Sequence, residues 1–470
     1  MHEILSLGFG SKSNFLLTHF WNTQEAYFVY DERDVSKVSV NTNFRQLTKH
    51  NYEHLATVPR ECVYDSPNEF GFVKRPWFAE LSDSEVVGSS IAGSLEKIHK
   101  APLDIHPYQS ALWEQDEWLH SQSPDVLKDL EQFPSLPHIE TGTVKHWSDF
   151  NRLLFDPKYL FPINFPDLNS EGSSFELGAE AFRLHNNEHN VWDETLRPLI
   201  EECDGMQGFQ FAVDVNTGWS GFMTNYLQYI EDELQDAGLP VWVFGVKNTD
   251  GSSVSSLPNQ KQKQMYANES LVLGSLKDVV SLYTPLPFKP EHDYWFASSI
   301  TNMAFESLTL PTRLHGTSYL HMSDLEYYLK SSSGRSIFAL DLKAKFHEKS
   351  DWNINRSVSF PTESPLSLSD LSRAPTVIRG PNNQDAILSN LPPSQLNQDI
   401  INIKDMGFPM LDTTPDDLSN IDTVMVTASS TEKATSHVQS IGKYMNTRQF
   451  RELDQDDVLE LQENLQSYYS

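Results

Sequence analysis

EECDGMQGFQFAVDVNTGWSGFMTNYLQYIEDELQDAGLPVWVFGV, residues 201–246, is the stretch that decides the fold. Residues 209–215 are apolar and rich in strand formers, and 216–221 are small and polar except for Trp219. From there Phe222, Met223, Tyr226, Leu227, Ile230 and Leu234 recur on one face of a 3.6-residue period. Gly238 and Pro240 supply a stop signal, and 240–246 resumes as a strand. Strand, loop, amphipathic helix and strand make one βαβ unit. Its strands are expected to be parallel neighbours joined by a helix beginning near Phe222, with the usual right-handed crossover. In such units the loop after the first strand lies at the carboxyl edge of the sheet, where helix N-terminal amides meet phosphates.

Composition narrows the partners. A chain of 470 residues is long enough for one large core and a second. Hydrophobic residues make up 39%, and 26 Pro outnumber 21 Gly, so long looped stretches are expected beside the core. The two cysteines, Cys62 and Cys203, are too few for a disulfide framework and sit in no metal-ligand spacing. They read as small apolar residues of a protein in a reducing compartment. With 65 acidic against 35 basic residues, the net charge of −30 repels phosphate backbones, so direct DNA binding is excluded. It also disfavours an anionic membrane surface. No window approaches the ~18 consecutive apolar residues of a membrane span. The amino terminus carries Glu3 and reads as strand, not as an Arg-rich presequence.

Outward from the βαβ unit, residues 1–30 read as strand, turn and helix, with 3–7 expected in the same sheet as 209–215. VPRECVYD (58–65) reads as the next core strand, and 81–90 is Ser-rich. Residues 111–133 predict two short helices around Pro124, and 134–180 are loop-rich. Residues 190–203 predict a helix with Trp192, Leu196, Leu199 and Ile200 on one face and a kink at Pro198. A polar loop is expected over 247–266, helix then helix over 266–283, and a further helix over 291–310. Residues 336–342 and 424–428 read as strands, 371–420 as a Pro/Asn/Ser/Asp-rich linker mobile in part, and 432–447 and 456–468 as helices. Val458, Leu461 and Leu465 form the inner face of the last. The chain divides into 1–115 with an insertion, 116–330 carrying the small-residue loop, and a 331–470 α+β region with flexible linkers.

The first 28 residues, MHEILSLGFGSKSNFLLTHFWNTQEAYF, resemble the tubulin amino terminus: a strand, a GQxGN-type turn at 10–14, and a helix ending in Phe20-Trp21. ECDGMQGFQ, with the strand, loop and acidic helix after it, resembles the tubulin segment carrying the Gly-rich phosphate loop. HFWNTQE, HWSDF (146–150) and ECDGMQGFQ together are closer still to the Misato family, tubulin-related proteins associated with mitochondrial inheritance. The likeness is carried by 1–30 and 144–246. It implies an α/β fold: a tubulin/FtsZ-like nucleotide-binding parallel sheet with family-specific insertions and a smaller α+β C-terminal region.

The candidate site residues are weighed against that background. Gly8-Phe9-Gly10-Ser11-Lys12-Ser13 is neither GxGxxG nor a P-loop, and a strand-to-helix turn needs small residues in any case. The resemblance places phosphate contact at Gly10 and Ser11 and a base-contacting Asn at Asn14, while Lys12 adds a cation. In the second loop Asn216, Thr217, Gly218, Trp219, Ser220, Gly221 and Phe222 match the family's GGGTGSG. Only Gly218 coincides with a family glycine, and Trp219 intrudes where backbone should approach phosphate. GTP is the cofactor the resemblance implies; the residues favour a degenerate loop over one that binds it in another shape. Hydrolysis in the family needs an acid from an NxDxR-type loop. HGTSYLHMSDLEYYL (315–329) offers only Asp324, which reads as a helix N-cap. His185-Asn186-Asn187-Glu188-His189 matches H-x-x-E-H, two His that could hold zinc on one helical face. Its Asn content favours a loop or helix start, and no metal is expected. Asn268-Glu269-Ser270 is a formal glycosylation sequon, irrelevant in a reducing compartment.

The expectation is therefore a non-enzymatic Misato-like factor for partitioning mitochondria and inheriting their DNA, acting through cytoskeletal or mitochondrial-surface protein partners. It is placed at the cytosolic face of mitochondria, with a cytoplasmic pool. The alternatives are a GTP-binding, filament-forming tubulin-like GTPase and a cytoskeletal assembly adaptor for tubulin.

Overall fold

The computed structural model describes residues 2–29, 36–49, 52–73, 105–121, 135–233, 238–248, 259–288, 293–330, 336–346, 358–359, 375–380, 400–404, 406–418, 421–430, 432–446 and 455–468. The Ser-rich 81–90 segment, Leu234 and the helix expected after Pro124 lie outside them.

Strand β1 (Ile4–Phe9) leads through Gly10 into α1 (Ser11–Glu25). A hairpin of β2 (Phe44–Lys49) and β3 (Tyr52–Pro59) precedes β4 (Glu61–Asp65), which lies parallel to β1 with Leu7 opposite Cys62. After α2 (Pro107–Ser121), the short β5 (Leu160–Pro162) pairs parallel with β4. Then come α3 (Phe175–His189), α4 (Arg197–Glu201) and β6 (Gly208–Asp214). Next are α5 (Trp219–Tyr229), β7 (Val241–Asn248), α6 (Gln260–Ser275) and β8 (Leu282–Phe288). The six parallel strands are ordered β5-β4-β1-β6-β7-β8.

Alternation sorts the strands' side chains onto two covered faces. Leu5, Leu7 and Phe9 of β1 and Phe209, Phe211 and Val213 of β6 join the core beneath α3, α5 and α6. Ile4 and Ala212 point the other way, with Phe15, Leu16 and Phe20 of α1 and Met303, Phe305 and Leu308 of α7 (Tyr294–Thr309). The other face of α7 carries a second sheet. Past α8 (Met322–Lys330), its strands are β9 (Ala339–Phe346), β10 (Val358–Ser359), β11 (Thr376–Gly380), β12 (Ile400–Lys404) and β13 (Ile421–Ser429), ordered β10-β9-β13-β11-β12. Leu340, Leu342, Val377, Val424 and Val426 face the α7 core. The chain ends in α9 (Glu432–Gly442) and α10 (Gln455–Ser467), whose Val438, Ile441 and Leu465 join the α6 side of the main core.

The parallel βαβ unit, the strand at the amino terminus and the α/β class stand as expected. Five local readings are corrected. The connecting helix starts at Trp219, three residues before Phe222. The segment 266–283 is not two helices: α6 starts at Gln260, inside the expected loop, on an Asn259/Gln262 capping box, and Leu282 and Tyr283 open β8. Residues 175–180 are helical, and His185–His189 end α3 rather than starting a helix. The helix expected over 190–203 is a π-turn (Val191–Leu196) entered through a left-handed Asn190, then α4 with Pro198 in its first turn. In 371–420, β11 and β12 are strands of the second sheet.

Candidate functional site

The strand order reverses direction between β1 and β6, so their carboxyl ends frame the crevice where doubly wound sheets receive ligands. Both candidate loops lie there. Gly10 turns the chain from β1 into α1 at φ 93°, and a Cβ on it would come within 2.5 Å of Trp219 Cδ1. Glycine is thus required twice, by backbone angle and by space. The first amides of α1 already have an acceptor: Asp214, at the end of β6, takes the backbone N–H of Lys12 at 3.2 Å and of Ser13 at 3.1 Å. The Ser13 hydroxyl turns back to the carbonyls of Phe9 and Gly10, at 2.7 and 2.8 Å. Ser11 donates to Glu69 at 3.1 Å. Asn14 donates to the Tyr64 carbonyl and, at 2.9 Å, to Oδ2 of the buried Asp65. Lys12 is 2% exposed, with Nζ 3.5 Å from Glu171 and 5.7 Å from the centroid of the Tyr294 ring.

The second loop is equally occupied. Asn216 Oδ1 accepts the Asn248 amide at 2.7 Å, and the Thr217 hydroxyl donates to the Asp214 carbonyl. The Gly218 N–H donates to the Ser173 hydroxyl at 2.6 Å and to the Leu168 carbonyl at 3.2 Å. The Ser220 hydroxyl donates to Thr217 within its own turn. Gly221 serves helix packing: a Cβ there would lie 1.8 Å from the Phe175 carbonyl oxygen of α3. Trp219, fully buried, lies across Gly10 and donates its indole N–H to Asn169. The nine candidate residues thus meet at one crevice. Their donors are directed to groups of the same chain, among them Asp214, Glu69, Asp65, Tyr64, Glu171, Leu168 and Ser173.

Electrostatics follow from this enclosure. Burial pushes the Asp214 carboxyl up to about 6, with Glu171 adding to the rise, against the pull of the Lys12 ammonium and the two amides. Burial raises Asp65 well above the carboxylate range, against the Asn14 hydrogen bond. Burial also pushes Glu171 upward, but Lys261, 2.5 Å away, and Lys12 outweigh it and hold this carboxyl below its usual value. Asp214, Glu171, Asn169 and Ser173 were not singled out from sequence. The available signal was Asp214, the one charge in a strand of mostly apolar residues.

Three other candidates take structural places. His185 and His189 have ring centroids 4.9 Å apart, and His185 is packed against Tyr64, Phe161 and Phe222. Burial, with His189 beside it, lowers His185 to about 4, so it is neutral. Among the described residues no three His, Cys, Asp or Glu side chains converge to hold a metal. Asp324 lies in the first turn of α8 rather than at its N-cap. Asn268 is buried and donates to the Ser173 carbonyl at 2.8 Å and to the Thr217 carbonyl at 3.4 Å, tying α6 to the covering segment and the second loop.

A doubly covered parallel sheet with strand-to-helix turns at the β1/β6 reversal, followed by a second sheet on α7, defines a protein of the tubulin/FtsZ-like class. Residues 2–114 match the Misato Segment II tubulin-like domain, and residues 136–314 match the tubulin domain. The chain is 42% identical to Protein dml1 of Schizosaccharomyces pombe over the full length of both. It is 31% identical to Protein dml1 of Aspergillus niger over 67% of this chain and 62% of that one. It is 30% identical to Protein dml-1 of Neurospora crassa over 67% of this chain and 57% of the relative. The chain belongs to the Misato family of tubulin-related proteins. It is a non-enzymatic, tubulin-like factor of mitochondrial inheritance.

Proposed function

We propose that this chain partitions mitochondria and their DNA from the cytosolic face of the organelle, through protein partners and without a nucleotide cycle. The carrying observation is the filled crevice: Trp219 lies on Gly10, Asp214 holds the first amides of α1, and the 168–173 segment covers the second loop. A GTPase cycle needs backbone open to phosphate and an acid supplied by a neighbouring subunit. In the described chain those amides are paired internally, and 315–329 carries no NxDxR. The net charge of −30 favours partners that are proteins over DNA. Among the described residues no helix is long and apolar enough to cross a membrane, which agrees with peripheral attachment.

The test is depletion followed by live imaging and a count of mitochondrial genomes, with purified protein analysed for bound nucleotide. Fragmented or unevenly distributed mitochondria, fewer genomes and no stoichiometric nucleotide are expected. Normal networks with unchanged genome number reject the inheritance role. GTP turnover that rises with assembly and is abolished by Asp324→Ala rejects nucleotide independence.

A further inference from the structure

Two carboxylates of this chain sit against the groups that hold phosphate at such a crevice. The first is Asp214, which is 3% exposed and accepts from the amides of Lys12 and Ser13 at 3.2 and 3.1 Å. A helix N-terminus carries about half a positive charge on such amides, and an anion is its natural partner. The second is Glu171, carried on the covering segment between β5 and α3. Its Oε1 lies 3.5 Å from Lys12 Nζ and accepts the Asn248 side-chain amide, while Oε2 lies 2.5 Å from Lys261 Nζ. Glu171 therefore joins α1, β7 and α6 at one point. The neighbouring Gly172 N–H donates to the Asn216 carbonyl at 2.9 Å, which fixes the segment over the second loop.

From these contacts we infer that Asp214 and Glu171 are resident anions, standing in for nucleotide phosphates and keeping the crevice folded and shut with nothing bound. Lys12 explains why a stand-in is needed. A cation this deeply buried destabilises the fold unless an opposite charge stays beside it. A nucleotide-binding relative can draw that charge from its ligand. A factor without a ligand must carry it in its own sequence: Glu171 of the covering segment lies 3.5 Å from Lys12 Nζ, while Asp214 of β6 takes the first amides of α1. Trp219 fills the remaining space over Gly10. The inference rests on the reading that the protein works without nucleotide, and it adds which groups replace the ligand.

The experiment is anion rescue of the full chain, followed by thermal unfolding with pyrophosphate as probe and chloride at matched ionic strength as control. Glu171→Gln and Asp214→Ala are each expected to lower the melting temperature and to regain stability with pyrophosphate, not with chloride. The unsubstituted protein is expected to keep its melting temperature under both. In the double variant, half-maximal rescue is expected at about tenfold less pyrophosphate than in either single variant, since a second anion position is then vacant. If Asp214→Ala does not fold, Glu171→Gln, on the partly exposed segment, still decides the matter. Lost stability without pyrophosphate rescue overturns the inference while leaving nucleotide independence intact. Equal stabilisation of the unsubstituted protein also overturns it, because its crevice is then open. Stoichiometric nucleotide extracted from the purified protein instead defeats the functional reading beneath it.

Discussion

Trp219 shows how one side chain can change what a loop does. A small residue at this position would leave the Gly10 turn facing open space; the indole instead covers it, packs tilted against Phe222 and gives its N–H to Asn169. Its burial is complete, so truncation leaves a cavity among groups that cannot all move in. Trp219→Ala is expected to cost about 3–5 kcal/mol in denaturant unfolding. Trp219→Phe should recover much of this, leaving the deficit of the indole hydrogen bond and the smaller ring. A loss below about 1 kcal/mol for Trp219→Ala would mean the crevice is not packed as described. The intrusion of Trp219 was legible in the sequence because a large aromatic interrupts a run of small residues. The part played by Asp214 was not, because a strand-terminal Asp reads equally well as the start of a turn.

At the scale of elements, the crossing of α3 and α5 is the closest approach around the site. A Cβ at Gly178 would lie 1.7 Å from the Gly218 carbonyl oxygen, and one at Gly221 would lie 1.8 Å from that of Phe175. The two glycines let the helix backbones touch, so the glycine content of the second loop records helix packing as much as phosphate approach. Gly221→Ala is expected to force the helices apart and to cost about 1–3 kcal/mol, read as a lower urea midpoint with an unchanged m-value. A neutral or stabilising substitution would show that the crossing is looser. The elements misread from sequence have physical reasons. Pro285 and Pro287 disguise β8, yet proline is tolerated there because β8 is an edge strand of the main sheet. Helix α3 was hidden by the Pro-rich run before it and by the Asn pair near its end, which terminates in a left-handed Asn190. The βαβ unit was legible because its strands are buried on both faces and its helix keeps a clean period.

At the scale of the whole molecule, buried charge holds the second sheet and the C-terminal helices onto the nucleotide-type layer. Behind β7, Lys247 Nζ lies 3.0 Å from Glu269 Oε2 and 2.6 Å from His437 Nε2, which fastens α9 to α6. On the other side Glu306 of α7 bonds Arg379 of β11 and lies 3.4 Å from Arg313, all three fully buried. Arg379 also donates to the Tyr27 hydroxyl at 2.7 Å and to the Gly407 carbonyl, so one guanidinium joins α7, the segment after α1 and the second sheet. An arrangement of this kind adds little over a well-packed apolar one, but removing one member is costly because the others stay buried without a partner. Arg379→Ala leaves Glu306 with Arg313 as its one charged partner, beside the Tyr27 hydroxyl at 3.0 Å, and strips the Tyr27 hydroxyl and the Gly407 carbonyl of a donor. The expected loss is about 3–5 kcal/mol. Arg379→Lys should restore little of it, since a single ammonium cannot reproduce the fork that reaches Glu306, the Tyr27 hydroxyl and the carbonyls of Met406 and Gly407. The loss should also be local. Hydrogen exchange should rise in β11 and β13 before it rises in β1 and β6, because the second sheet is held to the first layer through α7 and this charge cluster. Exchange that accelerates equally in both sheets would show that they unfold as one unit and that Arg379 is not their joint.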